Sequence, residues 1–395
     1  MKTHNPLPEL IKMGFDDQTA IAALSSALGI GGHTFSKQEF HYGDEVRGFK
    51  VVTNSSFRIS RVEIDLQLWL EVKPIITENQ KSKTQLKVVH TILFSTLPLN
   101  GYYRVGDWVQ LSPVRLKLHT STPFDSKGFE IDLSSKLNTQ IPRPFILEVK
   151  YKSSTLILVD AIERHRALDI ARRLLAAWIS LPIVKGVEAY NWVMINGVGP
   201  QIAMGSMSSG IDDYFQDATE FSDVDGLDPI SPIPIAIFFD EIVPSQEVIR
   251  LTDLTTLKQA FDKLETADKL RYLRCCSAIH EAEYYSRHTS QAIVSYVSAI
   301  EALLEPTSKC DECGNHTGIT SAFKEFIKHF VRPSEQISKT LDALYAFRSR
   351  LAHGAYALDI DEPFMGIAPS GGSMPLIAHW ISKKGAVNWL IERTQ

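Results

Sequence analysis

The sequence predicts an α+β protein: a β-rich N-terminal domain over residues 1–245, then a C-terminal antiparallel helical bundle over residues 246–395. Three observations predict it. From about Gly48 apolar residues recur at period two, the spacing of half-buried strands. Beyond Leu251 they recur at three- and four-residue spacing, the period of amphipathic helices. Between the two regimes lies a Pro-containing stretch, Phe239–Val248 (FDEIVPSQEV), which reads as the approach to a second domain. A chain of 395 residues is long enough for two domains, or for one large domain with an appendage.

In order, Gln18 to Leu28 carries a helical pattern closed by Gly29, Gly31 and Gly32. The stretch RVEIDLQLWLEV then alternates: Val62, Ile64, Leu66, Leu68, Leu70 and Val72 fall between Glu63, Asp65, Gln67 and Glu71, predicting a strand. Strand patterns follow at Leu86–Phe94, Trp108–Leu118, Phe129–Leu133, Phe145–Tyr151 and Thr155–Val159. The last two, separated by Lys152-Ser153-Ser154, predict a hairpin. Short connections favour antiparallel pairing. Asp160–Ile179 reads as a helix, with Ile162, Leu168, Ala171, Leu175 and Trp178 near one face. Val187–Ile195 and Ile233–Phe239 read as further strands. The acidic segment Gly205–Pro232 between them reads as a long surface loop.

Beyond Leu251, a first bundle helix spans about Thr266–Arg287, with Leu270, Leu273, Cys276, His280 and Tyr284 near one face. Thr289 or Ser290 caps a second, with a stripe of Ile293, Val297, Ile300 and Leu304. A third, about Thr320–Val331, packs through Phe323, Phe326, Ile327 and Phe330. A fourth runs Ser334–His353, and a final one starts at Ser373 and Pro375 and ends near Glu392. Short links between helices favour antiparallel neighbours.

Composition bounds the function classes. With 44% hydrophobic and 22% charged residues the chain reads as an ordinary globular protein. No apolar run reaches the length of a bilayer span, and the N-terminus carries no secretory-signal pattern, so no membrane partner is expected. Four cysteines do not suggest a disulfide scaffold, and a cytoplasmic location is the simplest expectation. The net charge of −5 argues against a broad basic face that coats nucleic acid, but leaves room for a local basic site.

Such a site is offered by Phe347-Arg-Ser-Arg-Leu-Ala-His-Gly354, at the end of the fourth bundle helix. Ile337, Leu341, Leu344, Tyr345, Leu351 and Ala352 form one apolar stripe there, and Arg348 falls on it. A guanidinium on such a face is costly unless it is paired or faces a cleft. His353 follows, then Gly354, which ends the helix. An arginine to bind phosphate and a histidine to move protons suit phosphodiester chemistry without a metal. Residues five apart on a helix point about 140° away from one another, so one chain does not obviously focus both on a single phosphate.

The Arg-x4-His spacing in FRSRLAHG closely resembles the signature of the HEPN superfamily, especially its Apea-like branch. The resemblance extends upstream through SYVSAIEALLEP (Ser295–Pro306), similar to the family's second helix, and covers roughly the last third of the chain. It implies an endoribonuclease, in a prokaryotic antiviral defence or toxin role, in which two bundles pair so that both motifs line a shared cleft. RNA and a second copy are the implied partners, and the N-terminal domain is a place for a trigger or regulatory partner. No cofactor is required: the RNA 2′-OH is the nucleophile, His353 is general base or acid, and Arg348 stabilises the phosphorane-like transition state. The negative end of the helix dipole favours a protonated His353. The family most often has Asn, Asp or His right after the arginine, where this chain has Ser349, which shares a helix face with His353. Arg350 adds local positive charge. In the alternative, Arg348 pairs with a bundle carboxylate, for which Glu301 is the natural partner, and the domain is a catalytically inactive RNA-binding or dimerisation scaffold. Phosphoryl or nucleotidyl transfer to a protein partner also suits an Arg/His pair, though no Gly-rich phosphate loop supports nucleotide hydrolysis.

Cys310-Asp-Glu-Cys313-Gly-Asn-His316, between the second and third bundle helices, resembles a zinc knuckle, with His329 or His288 as candidates for a fourth ligand. Cys310, Cys313 and His316 would supply three ligands of a structural zinc; a free-thiol loop is the other reading. Adjacent Cys275 and Cys276 read as packing residues. Glu148-Val-Lys150, with Asp132 upstream, has the Glu-x-Lys pattern of metal-dependent nucleases but reads as the solvent face of a strand. The acidic run Asp212, Asp213, Asp217, Asp223, Asp225 and Asp228 fails as a calcium loop. With Gly226 at the turn position, the loop would begin at Phe221 and end at Pro232, neither a usable side-chain ligand.

Overall fold

A computed structural model describes residues 4–28, 34–42, 45–55, 58–64, 66–81, 85–113, 143–185, 192–197, 199–204, 218–238, 248–284, 289–305, 318–352 and 374–395. Helix and sheet are mixed, as expected for an α+β chain. The chain divides into two compact units. The first holds residues 1–89, 149–168 and 217–221, and the second 90–148, 169–216 and 222–395. The expected division at 245/246 thus falls inside the second unit. Side-chain ties explain why residues upstream of it belong with the bundle: Trp178 Nε1 donates to Tyr272 Oη (2.9 Å), and Lys383 Nζ donates to the Ile179 carbonyl (2.7 Å).

The first unit begins with α1 (Leu7–Lys12) and α2 (Asp17–Ala27), followed by β1 (Thr34–Tyr42), β2 (Glu45–Ser55) and β3 (Arg58–Ile64) in an antiparallel three-stranded sheet ordered β1-β2-β3. A capping box starts α2: the Asp16 carboxylate accepts from Thr19 N (2.9 Å), and Asp16 N donates to Thr19 Oγ1 (3.0 Å). The strand expected over 62–72 is corrected. The strand stops at Ile64, and α3 (Leu66–Lys81) begins two residues later. Alternation held by coincidence through Leu66, Leu68 and Leu70. What folds the segment is Trp69, Val72 and Ile76 at helical spacing, all buried with Leu10, Ala20, Ala23, Leu24 and Ile64 in one core, whereas Leu66 and Leu70 are exposed. Glu9 accepts from Trp69 Nε1 (3.2 Å) and pairs with Lys73, and this holds its carboxyl below the usual range, Lys73 first among the causes.

A five-stranded sheet is ordered β5-β6-β7-β4-β8, built from β4 (Leu86–Ser95), β5 (Tyr103–Val105), β6 (Val109–Pro113), β7 (Arg143–Lys152) and β8 (Val184–Lys185). The strand expected at Phe129–Leu133 lies outside the described residues. The hairpin expected from Phe145–Tyr151 and Thr155–Val159 is replaced by a strand and a helix, since Ile157 opens α4 (Ile157–Trp178). Local polar groups choose the helix: Ser154 N donates to Asp160 Oδ1 (2.9 Å), and Leu156 N to Ser154 Oγ (3.2 Å). After it, β9 (Trp192–Gly197) and β10 (Gly199–Met204) form an antiparallel pair. The strand expected at Ile233–Phe239 is an isolated bridge, Ile233 to Thr252, followed by the single helical turn α5 (Ile235–Phe238).

Glu148 is not on a solvent face, contrary to the sequence reading; it is 1% exposed. Its carboxylate accepts from Gln110 Nε2 (2.8 Å), Ser222 N (2.8 Å) and Ser222 Oγ (2.6 Å), so both oxygens are held by the protein's own donors. The acidic segment is accordingly anchored at Ser222, and again where Ile230 N donates to the Tyr102 carbonyl (2.8 Å).

The second unit continues with α6 (Leu254–Lys263), α7 (Thr266–Tyr284), α8 (Thr289–Glu301), α9 (Ile319–Phe326), α10 (Glu335–Ala352) and α11 (Met374–Glu392). α8 packs against α7, α9, α10 and α11. Its stripe is as expected, with Ile293, Val297 and Ile300 buried. The expected face of α7 is rotated: Leu270 is exposed, and the buried side runs through Tyr272, Cys275, Cys276, Ile279 and Glu283. Burial pushes both thiols up, so Cys275 and Cys276 are packing groups rather than nucleophiles. α9 passes into a π turn at Ile327–Val331, closed by Arg332 in the left-handed region (φ 51°). The π turn helps seat Ile327 and Val331 inward against α11. There Gly385 allows a close approach, because a Cβ would lie 2.8 Å from the Phe326 ring and one of the two would have to shift. Gly385→Ala should therefore destabilise by about 1–3 kcal/mol despite better helix propensity, read as a fall in the denaturation midpoint. An unchanged or raised midpoint would show that Phe326 can yield. No helix among the described residues is long and apolar enough to cross a membrane.

Candidate functional site

The arginine motif sits where α8 and α10 meet. Leu341, Leu344, Tyr345 and Phe347 bury the inner face of α10. Arg348, on the edge of that face, has a side chain 25% exposed. Its Nη2 donates to Glu301 Oε2. Glu301 is the last residue of α8, where the dipole's negative end disfavours a carboxylate, so the guanidinium offsets both that repulsion and the desolvation. The other oxygen, Oε1, lies 3.4 Å from the Tyr345 hydroxyl, which donates to it. The Tyr345 ring rests on Phe323 of α9 (centroids 4.9 Å apart), and Lys324 Nζ pairs with Asp342 (2.8 Å), so α9 is tied to α10 beside the site. Desolvation, and then the Glu301 charge, raise the Tyr345 phenol, keeping it a donor.

Glu301 occupies only one nitrogen of the guanidinium. Arg348 Nε is buried and has no hydrogen-bond partner among the described residues. A planar cation anchored at one corner and 25% exposed can still take an oxyanion on its open side. Ser349 is half-buried beside it. Arg350 is exposed, turned away over the Phe347 ring (5.8 Å). The structure thus brings together Arg348 and Glu301, adds Tyr345, and leaves Arg350 outside the cluster. His353, Cys310, Cys313 and His316 lie outside the described residues. Among the described residues, no three His, Cys, Asp or Glu side chains gather as a metal site.

A second charged cluster escaped sequence reading. Glu283 of α7 and Lys383 of α11 are both fully buried and paired. Lys383 Nζ also donates to the carbonyls of Ile179 (2.7 Å) and Leu181 (3.2 Å), just past the end of α4. Ile183 N donates to Glu283 Oε2 (3.0 Å), and His379 Nε2 lies 3.8 Å from Glu283 Oε1. The Tyr296 ring meets the His379 ring edge-on at 5.3 Å. Among the described residues the partners of Lys383 are backbone carbonyls and the Glu283 carboxylate, so this cluster is a structural fastener between α4, α7 and α11. The signal was present: Lys383 shares spacing with Ala386, Val387 and Leu390, an ionisable group on an apolar stripe like Arg348. Comparisons with protein-family models, with curated proteins and with solved structures find no match to this chain.

Proposed function

We propose that the C-terminal bundle is a HEPN-like domain and that the protein is a metal-independent endoribonuclease acting as a homodimer, in a defence or toxin role. The observation that carries this reading is the guanidinium of Arg348, within FRSRLAHG, 25% exposed at a helix junction and held at one corner by Glu301. In the proposed reaction the RNA 2′-oxygen attacks phosphorus and the bond to the 5′-oxygen breaks. His353 of one copy takes the 2′ proton or delivers a proton to the leaving oxygen, and Arg348 neutralises the equatorial charge. The products are a 2′,3′-cyclic phosphate and a 5′-hydroxyl, and DNA, lacking the 2′-OH, is inert. Residues 1–245 hold the control over the bundle that such an enzyme needs in a healthy cell.

One observation favours a second reading, a non-catalytic RNA-binding or dimerisation bundle. Glu301 already satisfies part of the Arg348 charge, as in a purely structural pair. The experiment compares wild type with His353→Ala on mixed RNA in excess EDTA, with DNA alongside. The expected outcome is RNA-only cleavage leaving cyclic phosphate ends, reduced about 100-fold or more in the variant. A folded dimer that binds RNA without turnover would favour the second reading.

A further inference from the structure

We infer that Tyr345 is a positioning residue for Arg348: its hydroxyl fixes the Glu301 carboxylate, and the carboxylate in turn fixes the guanidinium against which RNA phosphate would lie. The inference rests on the ribonuclease reading for its functional part and on geometry for its structural part. A carboxylate held through one oxygen can swing; one held through both cannot. Arg348 Nη2 takes Oε2, and the Tyr345 hydroxyl approaches Oε1 at 3.4 Å, long for such a bond but directed at the free oxygen. Tyr345 and Arg348 stand three apart on α10 and so share the face turned to Glu301. The ring that carries the hydroxyl is itself immobilised, 8% exposed and packed on Phe323. A phenol in the core needs an acceptor, and the carboxylate that orients the motif arginine is one, with the Thr320 side chain as a second partner of the hydroxyl. α9 thereby reaches the site through Phe323, Tyr345, Glu301 and Arg348 in turn.

Tyr345→Phe separates this role from packing, because the ring stays and only the hydroxyl goes. The test uses the full chain labelled at arginine, with the Arg348 Nε–Hε NMR signal identified by its loss in Arg348→Lys, alongside steady-state cleavage of single-stranded RNA. In Tyr345→Phe the Arg348 signal should shift toward that of a free arginine and its hydrogen exchange should quicken. The thermal midpoint should move by no more than about 4 °C, and kcat should fall by about ten- to a hundredfold with KM little changed. A Tyr345→Phe protein with the wild-type Arg348 signal overturns the inference whatever its activity. So does a shifted signal with unchanged kcat. A wild-type protein that cleaves no RNA overturns the ribonuclease reading instead, and the NMR comparison still decides whether Tyr345 holds Arg348.

Discussion

Replacing Lys383 with methionine is expected to destabilise the second unit by about 3–5 kcal/mol, the range for removing one partner of a buried ion pair. The ammonium has no exposed surface and neither does its partner, Glu283. Methionine fills most of the volume but supplies no donor. The Glu283 carboxylate would keep the Ile183 amide but lose its counter-charge, and the carbonyls of Ile179 and Leu181 would lose theirs as well. The loss should be read as a lowered denaturant midpoint in far-UV dichroism. A companion variant decides the mechanism. Adding Glu283→Leu to Lys383→Met removes the stranded charge and should recover part of the loss, because an apolar pair of similar volume often matches a buried salt bridge. A single-variant cost below about 1 kcal/mol would mean that water reaches the pair in solution.

The bundle was legible because helical periodicity is a local signal. α8, α10 and α11 lie within a few residues of their expected bounds, and the stripe Ile293, Val297, Ile300 is buried as read. The alternation at Val62–Val72 misled because apolar residues stood at both spacings at once. Only the surroundings of Trp69 and Ile76, which Leu10 and Leu24 cover, decide between them. The Thr155–Val159 error has another source: Ser154 and Asp160 supply the polar contacts that start a helix in a segment rich in β-branched and apolar residues. Glu148 was misplaced because alternation says which residues share a face, not which face is wet. Its burial depends on Gln110 and Ser222, 38 and 74 positions away in the chain.

At the candidate site the same contrast recurs. Arg348 could be flagged from its own helix, and Glu301 follows as the carboxylate bordering the stripe of α8; the pair is formed. Tyr345 looked like one more core aromatic, and only the position of Glu301 gives its hydroxyl a task. Lys383 and Glu283 stand 100 positions apart in the chain, with the third component a pair of carbonyls just past the end of α4. No local pattern announces that a lysine will find its acceptors in the backbone of a distant helix terminus.

The acid limb of stability should be set largely by His379. Burial, and then the charge of Lys383 on the same helix, lower its pKa from 6.5 to about 4; Glu283 of α7 opposes them, and Tyr296 of α8 covers the ring. In the folded protein the imidazole is therefore neutral through a range in which the unfolded chain has it protonated. Between pH 6.5 and about 4 the unfolded state binds the extra proton, so stability falls as pH falls through that window and levels off below it. The full effect is about 3 kcal/mol. In Asp16 and Glu305 desolvation is outweighed by hydrogen bonds and ion pairs, and Glu9 is lowered first by Lys73. All three lose their contributions only below the usual carboxylate range, so the interval from pH 6.5 to 4.5 excludes them. Denaturant titrations of wild type and His379→Gln across that interval should show a slope in the first and a much flatter line in the second. Equal slopes would assign the acid limb to other groups and leave His379 as packing for Tyr296.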